Sequence, residues 1–258
     1  LYLNLDGYRS VLAKVYSGLT LTGNSGPDGQ GDIAGINEGF SSYIRQYWSA
    51  QELTTDEAVI GWNDATIKDF HSLAWSPADV FVRALYSRIF FQITLANEFI
   101  RESAPAKLAE RNLSGADATE IGYMRAEARF LRALSYYHAL DLFGNVPFVT
   151  EGDNVGAFLP TQISRANLFT YVEDELKAIE TELKDARSNE YGRADKAAAW
   201  ALLSRLYLNA EVYTGTPKYG DCITYCNKVT AVTGYALATN YRNLFLADNN
   251  NTGAGEFI

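Results

Sequence analysis

The sequence predicts a mostly α-helical fold made of paired helices with irregular loops between them. Three observations carry this. Apolar residues recur at the three- and four-residue spacing of amphipathic helices over most of the 258 residues. Long apolar alternation of the strand type is nearly absent, and clusters of Gly, Pro and Asn punctuate the periodic runs.

The first stripe runs Tyr8, Val11, Leu12, Val15, Tyr16, Leu19 and the second Phe40, Tyr43, Ile44, Tyr47, Trp48, each a helix with one apolar face. Between them, 21–39 carries six glycines and is expected to be a loop. A third helix is expected over 78–102. A fourth over 117–143 has Ala126, Phe130, Ala133, Tyr137 and Leu140 on its stripe and is stopped by Phe143-Gly144-Asn145-Val146-Pro147. A fifth opens after Ser164, with Leu168, Val172, Leu176, Ile179 and Leu183 inward and Glu173, Asp174, Glu175 and Lys177 wet. Two more, over 194–212 and 218–232, flank a turn at 213–217. The small residues Ala197, Ala198, Ala199 and Ala201, with Trp200, Leu203, Tyr207 and then Tyr219, make this pair look like a tetratricopeptide-type hairpin, although the full Trp-x-x-Leu-Gly-x-x-Tyr run is missing. The tail 248–255 reads as a polar loop. Residues 256–258 read as the opening of a strand, so the chain is expected to stop within a domain. The aromatics Tyr43, Tyr47, Trp48, Tyr136 and Tyr137 are assigned to the core.

Charge narrows the partners. The 22 Lys and Arg against 31 Asp and Glu leave a net charge of −9, which gives no general attraction to phosphate backbones, so nucleic acid is not expected. No run approaches the roughly 20 apolar residues of a membrane span. The start lacks an initiator Met, a basic region and a small-residue cleavage site, so any targeting segment is expected to have been removed already. Cys222 and Cys226, one helical turn apart, read as buried small hydrophobes rather than as a disulfide or half of a metal site.

Catalysis finds little support. His71 and His138 lack metal-spaced partners, no nucleophile elbow, Walker loop or His-Glu-x-x-His is present, and the adjacent Asp56-Glu57 does not set two carboxyls across a scissile bond. No cofactor is expected. Two loops, one with Asp28, Gln30 and Asp32 and one with Asp248, Asn250, Thr252 and Gly253, have part of a calcium spacing, but ordinary polar turns are the preferred reading and calcium is left open. One segment stands out. Trp62 follows Gly61 and precedes Asn63 and Asp64 in a stretch between helices, and a flat ring beside amide and carboxylate groups suits a pyranose, covering its C–H face while the polar groups bond hydroxyls. The alternative is a loop Trp capping the core beside an Asn-Asp turn.

Several runs together give a resemblance. The Arg125-Ala126-Glu127-Ala128-Arg129-Phe130-Leu131-Arg132 stretch leading on to Asp141-Leu142-Phe143-Gly144-Asn145-Val146-Pro147, the Gly192-Arg193-Ala194-Asp195 run through Trp200 to Asn209, Gln51-Glu52-Leu53-Thr54-Thr55-Asp56-Glu57 with Gly61-Trp62, and Asn240-Tyr241 through Phe245 together resemble the SusD/RagB family of outer-membrane glycan-binding lipoproteins. The resemblance implies tetratricopeptide-like helical hairpins with an irregular second region and suggests that 1–258 is the N-terminal portion of one SusD-like domain, truncated before its C-terminal region. Within it, 20–77 would be a loop-rich, glycan-facing segment and 117–232 the hairpins.

The resemblance further implies capture of an oligosaccharide or polysaccharide at the bacterial surface without catalysis, and delivery to a SusC-like TonB-dependent transporter. It implies an anchor through a lipidated N-terminal Cys that lies outside this chain, and the missing C-terminal half as a further partner. By the pattern of the starch-binding members, Trp62 is the stacking ring and Arg45, eleven residues before Asp56, a glucan contact, with Asn63 and Asp64 as further hydrogen-bonding groups. Ile60 stands where that pattern has a second Trp. Starch-type α-glucan is therefore the leading ligand, followed by fructan or another neutral glycan. The rivals from other classes are a tetratricopeptide-type protein scaffold and a helical glycoside hydrolase.

Overall fold

The computed structural model describes residues 1–25, 30–64, 66–156, 158–252 and 255–258. It is mostly helical, as the periodicity predicts. Helix α1 (Leu5–Ser17) starts where the Asn4 side chain accepts from the Gly7 N–H at 2.9 Å and buries Tyr8, Leu12 and Val15. Helix α2 (Tyr43–Glu52) follows the glycine-rich stretch, and a short α3 (Asp69–Ser72) precedes α4 (Val80–Glu102). Asp79 caps α4, its Oδ1 accepting from the N–H groups of Phe81 and Val82 at 2.8 and 3.0 Å. A short α5 (Pro105–Glu110) leads to α6 (Gly115–Phe143), which stops at Gly144 with φ +70°, a conformation open to glycine at little cost. Two-residue strands β1 (Val146–Pro147) and β2 (Gln162–Ile163) pair antiparallel before α7 (Arg165–Ile179). Then come α8 (Lys196–Leu208), the single-turn α9 (Ala210–Thr214), α10 (Tyr219–Thr230) and a last turn, α11 (Asn249–Thr252).

Contacts between side chains set the direction of the long helices. Arg125 reaches the Ile100 carbonyl, Arg132 reaches Asn97 at 2.7 Å, and Phe143 meets Tyr86, so α4 and α6 run antiparallel. Arg129 pairs with Glu175 while Tyr136 packs on Tyr171, so α6 and α7 do the same. In the last hairpin Tyr207 meets Lys218 and Trp200 meets Lys228, which places α8 and α10 antiparallel. One main core runs through this array, with Ile89, Ile93, Phe99 and Ile100 of α4 facing Ile121, Met124, Tyr136 and Leu140 of α6. Each such side chain contributes about 1.5–3 kcal/mol on burial. A smaller second core of Leu53, Ile67, Phe70 and Phe81 lies under the loops around α2 and α3.

Several expectations need correction. The helix expected over 194–212 breaks at Asn209, leaving α9 as a separate turn. The second stripe overshoots: Phe40 closes a 3-10 turn (Glu38–Phe40), and Trp48, assigned to the core, is 52% exposed because α2 buries only Tyr43, Gln46 and Ser49. Glu173, expected on the wet face of α7, is buried, since Tyr207 and Lys218 of the last hairpin bond its carboxylate at 2.8 and 2.9 Å, and Glu175 is half-buried between Arg129 and Arg132. Cys222 is half-buried and Cys226 exposed, both as free thiols rather than buried hydrophobes. Residues 256–258 form no strand: the Glu256 carboxylate accepts from the Ala238 N–H at 2.6 Å and bends the chain back. The polar tail takes up the α11 turn in part.

Two of the motifs that carry the family resemblance hold helices together. Glu127, buried within α6, accepts from Arg193 at 2.6 Å and from the Tyr16 hydroxyl at 2.6 Å. The Glu127 carboxylate thus joins the Arg-Ala-Glu-Ala-Arg stretch to the Gly-Arg-Ala stretch by an ion pair and to α1 by a hydrogen bond. Arg129 holds Glu175 through two hydrogen bonds of 2.9 Å and Glu182 at 2.7 Å.

Candidate functional site: an exposed indole beside a stacked arginine

The glycine-rich stretch is held from below. Among its described residues it makes one isolated bridge, Gly23 with Gly31, and it ends in the 3-10 turn Glu38–Phe40. Arg88 of α4, fully buried, donates from Nη2 to the Thr22 carbonyl at 2.8 Å and to the Ser41 Oγ at 2.9 Å, donates to the Ser41 carbonyl, and meets Asp32 at 3.3 Å. Lys14 of α1 also pairs with Asp32 at 3.2 Å. A cation buried this deeply needs such partners, and the backbone it binds is thereby fixed. Asp32 is already paired with two cations, Lys14 and Arg88; Asp28 lies outside the described residues, as does Gly253 of the second calcium-like loop. Among the described residues no cluster of three or more His, Cys, Asp or Glu side chains could hold a metal ion.

On this support the structure brings Arg45 and Trp62 together. Phe40 packs against the second core and its carbonyl accepts from the buried Gln46 side chain. The Phe40 and Trp62 rings lie 6.0 Å apart, tilted by 55°. The Arg45 guanidinium sits over both, 4.8 Å from the Phe40 centroid and 5.4 Å from that of Trp62, and donates to the Gly39 carbonyl at 3.0 Å. Cation–π contact of this kind orients the guanidinium and restrains the indole. Trp62 is nonetheless 54% exposed, so ring surface stays open to solvent.

Asn63 is exposed next to it, but its Oδ1 accepts from Lys68 Nζ, leaving the amide N–H groups as its outward donors. Asp64 is half-buried and gives its carbonyl to the Ile67 N–H at 3.0 Å. Ile60, in place of a second ring, is half-buried on the second core. Phe40 and Lys68 are site neighbours that the sequence reading missed. Phe40 was hidden in an apparent helical stripe, and the glycine just before it was the available sign of a turn. The histidines take no part: His71 is exposed, and His138 is buried with Nδ1 2.8 Å from the Tyr43 hydroxyl. The arrangement offers a flat apolar face beside fixed hydrogen-bond donors, which suits binding rather than bond cleavage.

Comparison with known proteins agrees with this fold. The SusD-like family profile, described as starch-binding associating with outer membrane, matches residues 33–208. The chain belongs to the SusD-like family. It is 39% identical over 242 residues to the starch-binding protein SusD of Bacteroides thetaiotaomicron, a match that covers 93% of this chain and 41% of that protein. A SusD superfamily structure from Parabacteroides distasonis superposes with a TM-score of 0.74 at 24% identity, over 98% of this chain and 50% of that one. A laminarin-binding SusD-like protein gives a TM-score of 0.66 at 20% identity, over 91% of this chain and 45% of that one. The chain thus spans half or less of these relatives. Among the described residues no helix is long and apolar enough to cross a membrane.

Proposed function

We propose that this chain forms the glycan-contacting part of a surface protein that binds a neutral polysaccharide, starch-type α-glucan first, and delivers it without catalysis to a SusC-like TonB-dependent outer-membrane transporter. The observation that carries the reading is the Trp62 indole, more than half exposed yet restrained by Arg45 and Phe40 on a buried base. An apolar ring held in water beside fixed donors matches the C–H faces and hydroxyl edges of a pyranose. The 39% identity to a starch-binding protein supports α-glucan as the first choice.

In this reading Trp62 stacks on the sugar, while Arg45, Asn63 and Asp64 choose hydroxyl geometry. The segment 20–77 faces the glycan, and the hairpins of 117–232 are the scaffold that docks on the transporter. A lipidated Cys outside this chain anchors the protein to the outer membrane, and the remaining portion found in longer relatives completes the fold. A second reading, fructan or another neutral glycan in the same role, is favoured by one feature. The half-buried Ile60 removes a second ring from this loop, so the curve of an α-glucan helix is followed by one indole here rather than two.

Native gels containing amylopectin, levan, inulin, xylan or mannan test both readings on the full-length protein. Retardation by amylopectin that Trp62→Ala abolishes supports the first; retardation by another of these polymers, again lost with Trp62, supports the second. No retardation in any gel overturns both and favours a helical protein-interaction scaffold.

A further inference from the structure

We infer that a second saccharide-binding groove lies at the start of α4, walled by Trp75, Tyr86 and Phe143 and edged by Arg83, Ser76 and Ser87, and that it takes a hexose unit of the same neutral glycan. The ligand class rests on the function proposed above; the residues are different ones.

The groove has a volume of about 540 Å3, inside the range of about 300–1,000 Å3 in which small-molecule sites fall. Its walls are already positioned. Trp75 leans on Phe70 of the second core, centroids 6.1 Å apart, and is still 44% exposed. Tyr86 is braced edge-on by Phe143 at 5.3 Å and packs on Phe90 at 4.6 Å. Rings held in this way lose little freedom when a ligand arrives, which lowers the cost of binding.

The edge is polar in a particular way. Among the described residues no carboxylate lines the groove, and Arg83, exposed in the first turn of α4, has no ion-pair partner. Its guanidinium offers donors to hydroxyl oxygens, and the Ser76 and Ser87 hydroxyls can both donate and accept. Indole, second ring and arginine are the same kinds of group that meet at Trp62. Both sites also rest on one base, since Phe40 packs against the core that contains Phe70. A peptide of apolar side chains would cover the rings but leave this donor-rich edge unsatisfied, whereas a sugar presents C–H faces to the rings and oxygens to the edge.

The test uses the full-length protein with 15N-labelled indoles, the signals of the four Trp of this chain assigned by single Trp→Phe variants and titrated with maltoheptaose, laminariheptaose and inulin oligomers. At least one of these oligomers is expected to shift both the Trp62 and Trp75 signals. Trp75→Ala should then weaken its binding about two- to tenfold, with the Trp62 signal still responding. A Trp75 signal that stays still while Trp62 moves overturns this inference and leaves the Trp62 site standing. A Trp75 response without one from Trp62 keeps the groove and overturns the Trp62 site. Stillness of both overturns both. A Trp75 signal unaffected by a soluble gadolinium relaxation agent shows the groove covered by protein and overturns the inference as well.

Discussion

Arg88 is the residue on which the candidate site depends without touching it. Its guanidinium is fully buried and ties the backbone at Thr22 and Ser41, on either side of the glycine-rich stretch, to α4. Removing one partner of a buried pair leaves Asp32 with Lys14 alone, so Arg88→Met is expected to destabilise the fold by about 3 kcal/mol, measured by urea unfolding. Amide exchange should quicken first between Thr22 and Ser41; unchanged protection there would contradict the assignment. His138 sets a different prediction. Burial, and then the charge of Arg205, push its imidazole down to about 3 from 6.5. The unfolded chain therefore takes up a proton below pH 6.5 that the folded chain refuses, and stability falls as pH drops from 6.5 toward about 3, by up to about 1.4 kcal/mol per pH unit. His138→Gln should flatten that slope in denaturant titrations; an unchanged slope would count against it.

At the scale of elements, charge pairs join helices that hydrophobic packing alone would leave free to slide. Burial opposes ionisation of Glu175, but hydrogen bonds from Arg129 and the charge of Arg132 outweigh it and hold the carboxyl below its usual range. Its stabilisation is therefore complete above the unfolded value of about 4.3 and is lost as pH falls through the lower folded one. Glu175→Gln should cost about 3 kcal/mol at neutral pH, read by urea unfolding, and should blunt part of the acid sensitivity; a neutral effect would show the pair to be idle.

The same pairs mark the boundary of what the sequence makes legible. Helices α1, α4, α6 and α7 were visible because their apolar stripes are long and local, and α6 had a glycine stop. Glu127 was not readable as buried, because a helical glutamate looks wet until Arg193, far along the chain, arrives to neutralise it. The break at Asn209 has no proline or glycine to announce it, and the exposure of Trp48 follows from how few residues α2 turns inward. At the site, Trp62 was legible as a ring with polar neighbours, and Arg45 through the family pattern. Phe40 was not, since it shares the spacing of the helix that begins after it.

At the scale of the whole chain the net charge of −9 separates two kinds of ligand. A neutral glycan held by stacking and hydrogen bonds carries no net charge for the protein field to act on. Its affinity is expected to change less than about twofold between about 0.05 and 0.5 M salt, checked by repeating affinity gels across that range. A steep salt dependence would point to an acidic glycan and against the proposed class. Individual stacking contacts are modest, so long polymers should bind better than short ones by engaging more than one contact.

The proposal turns on the Trp62 indole acting as a sugar platform. Isothermal titration of the full-length protein with maltoheptaose, beside the Trp62→Ala variant with its unfolding midpoint checked, tests it most directly. Measurable binding by the parent protein is expected, with its loss, by tenfold or more, in a variant that remains folded. Equal binding by both proteins would contradict it and move the glycan contact elsewhere on the surface.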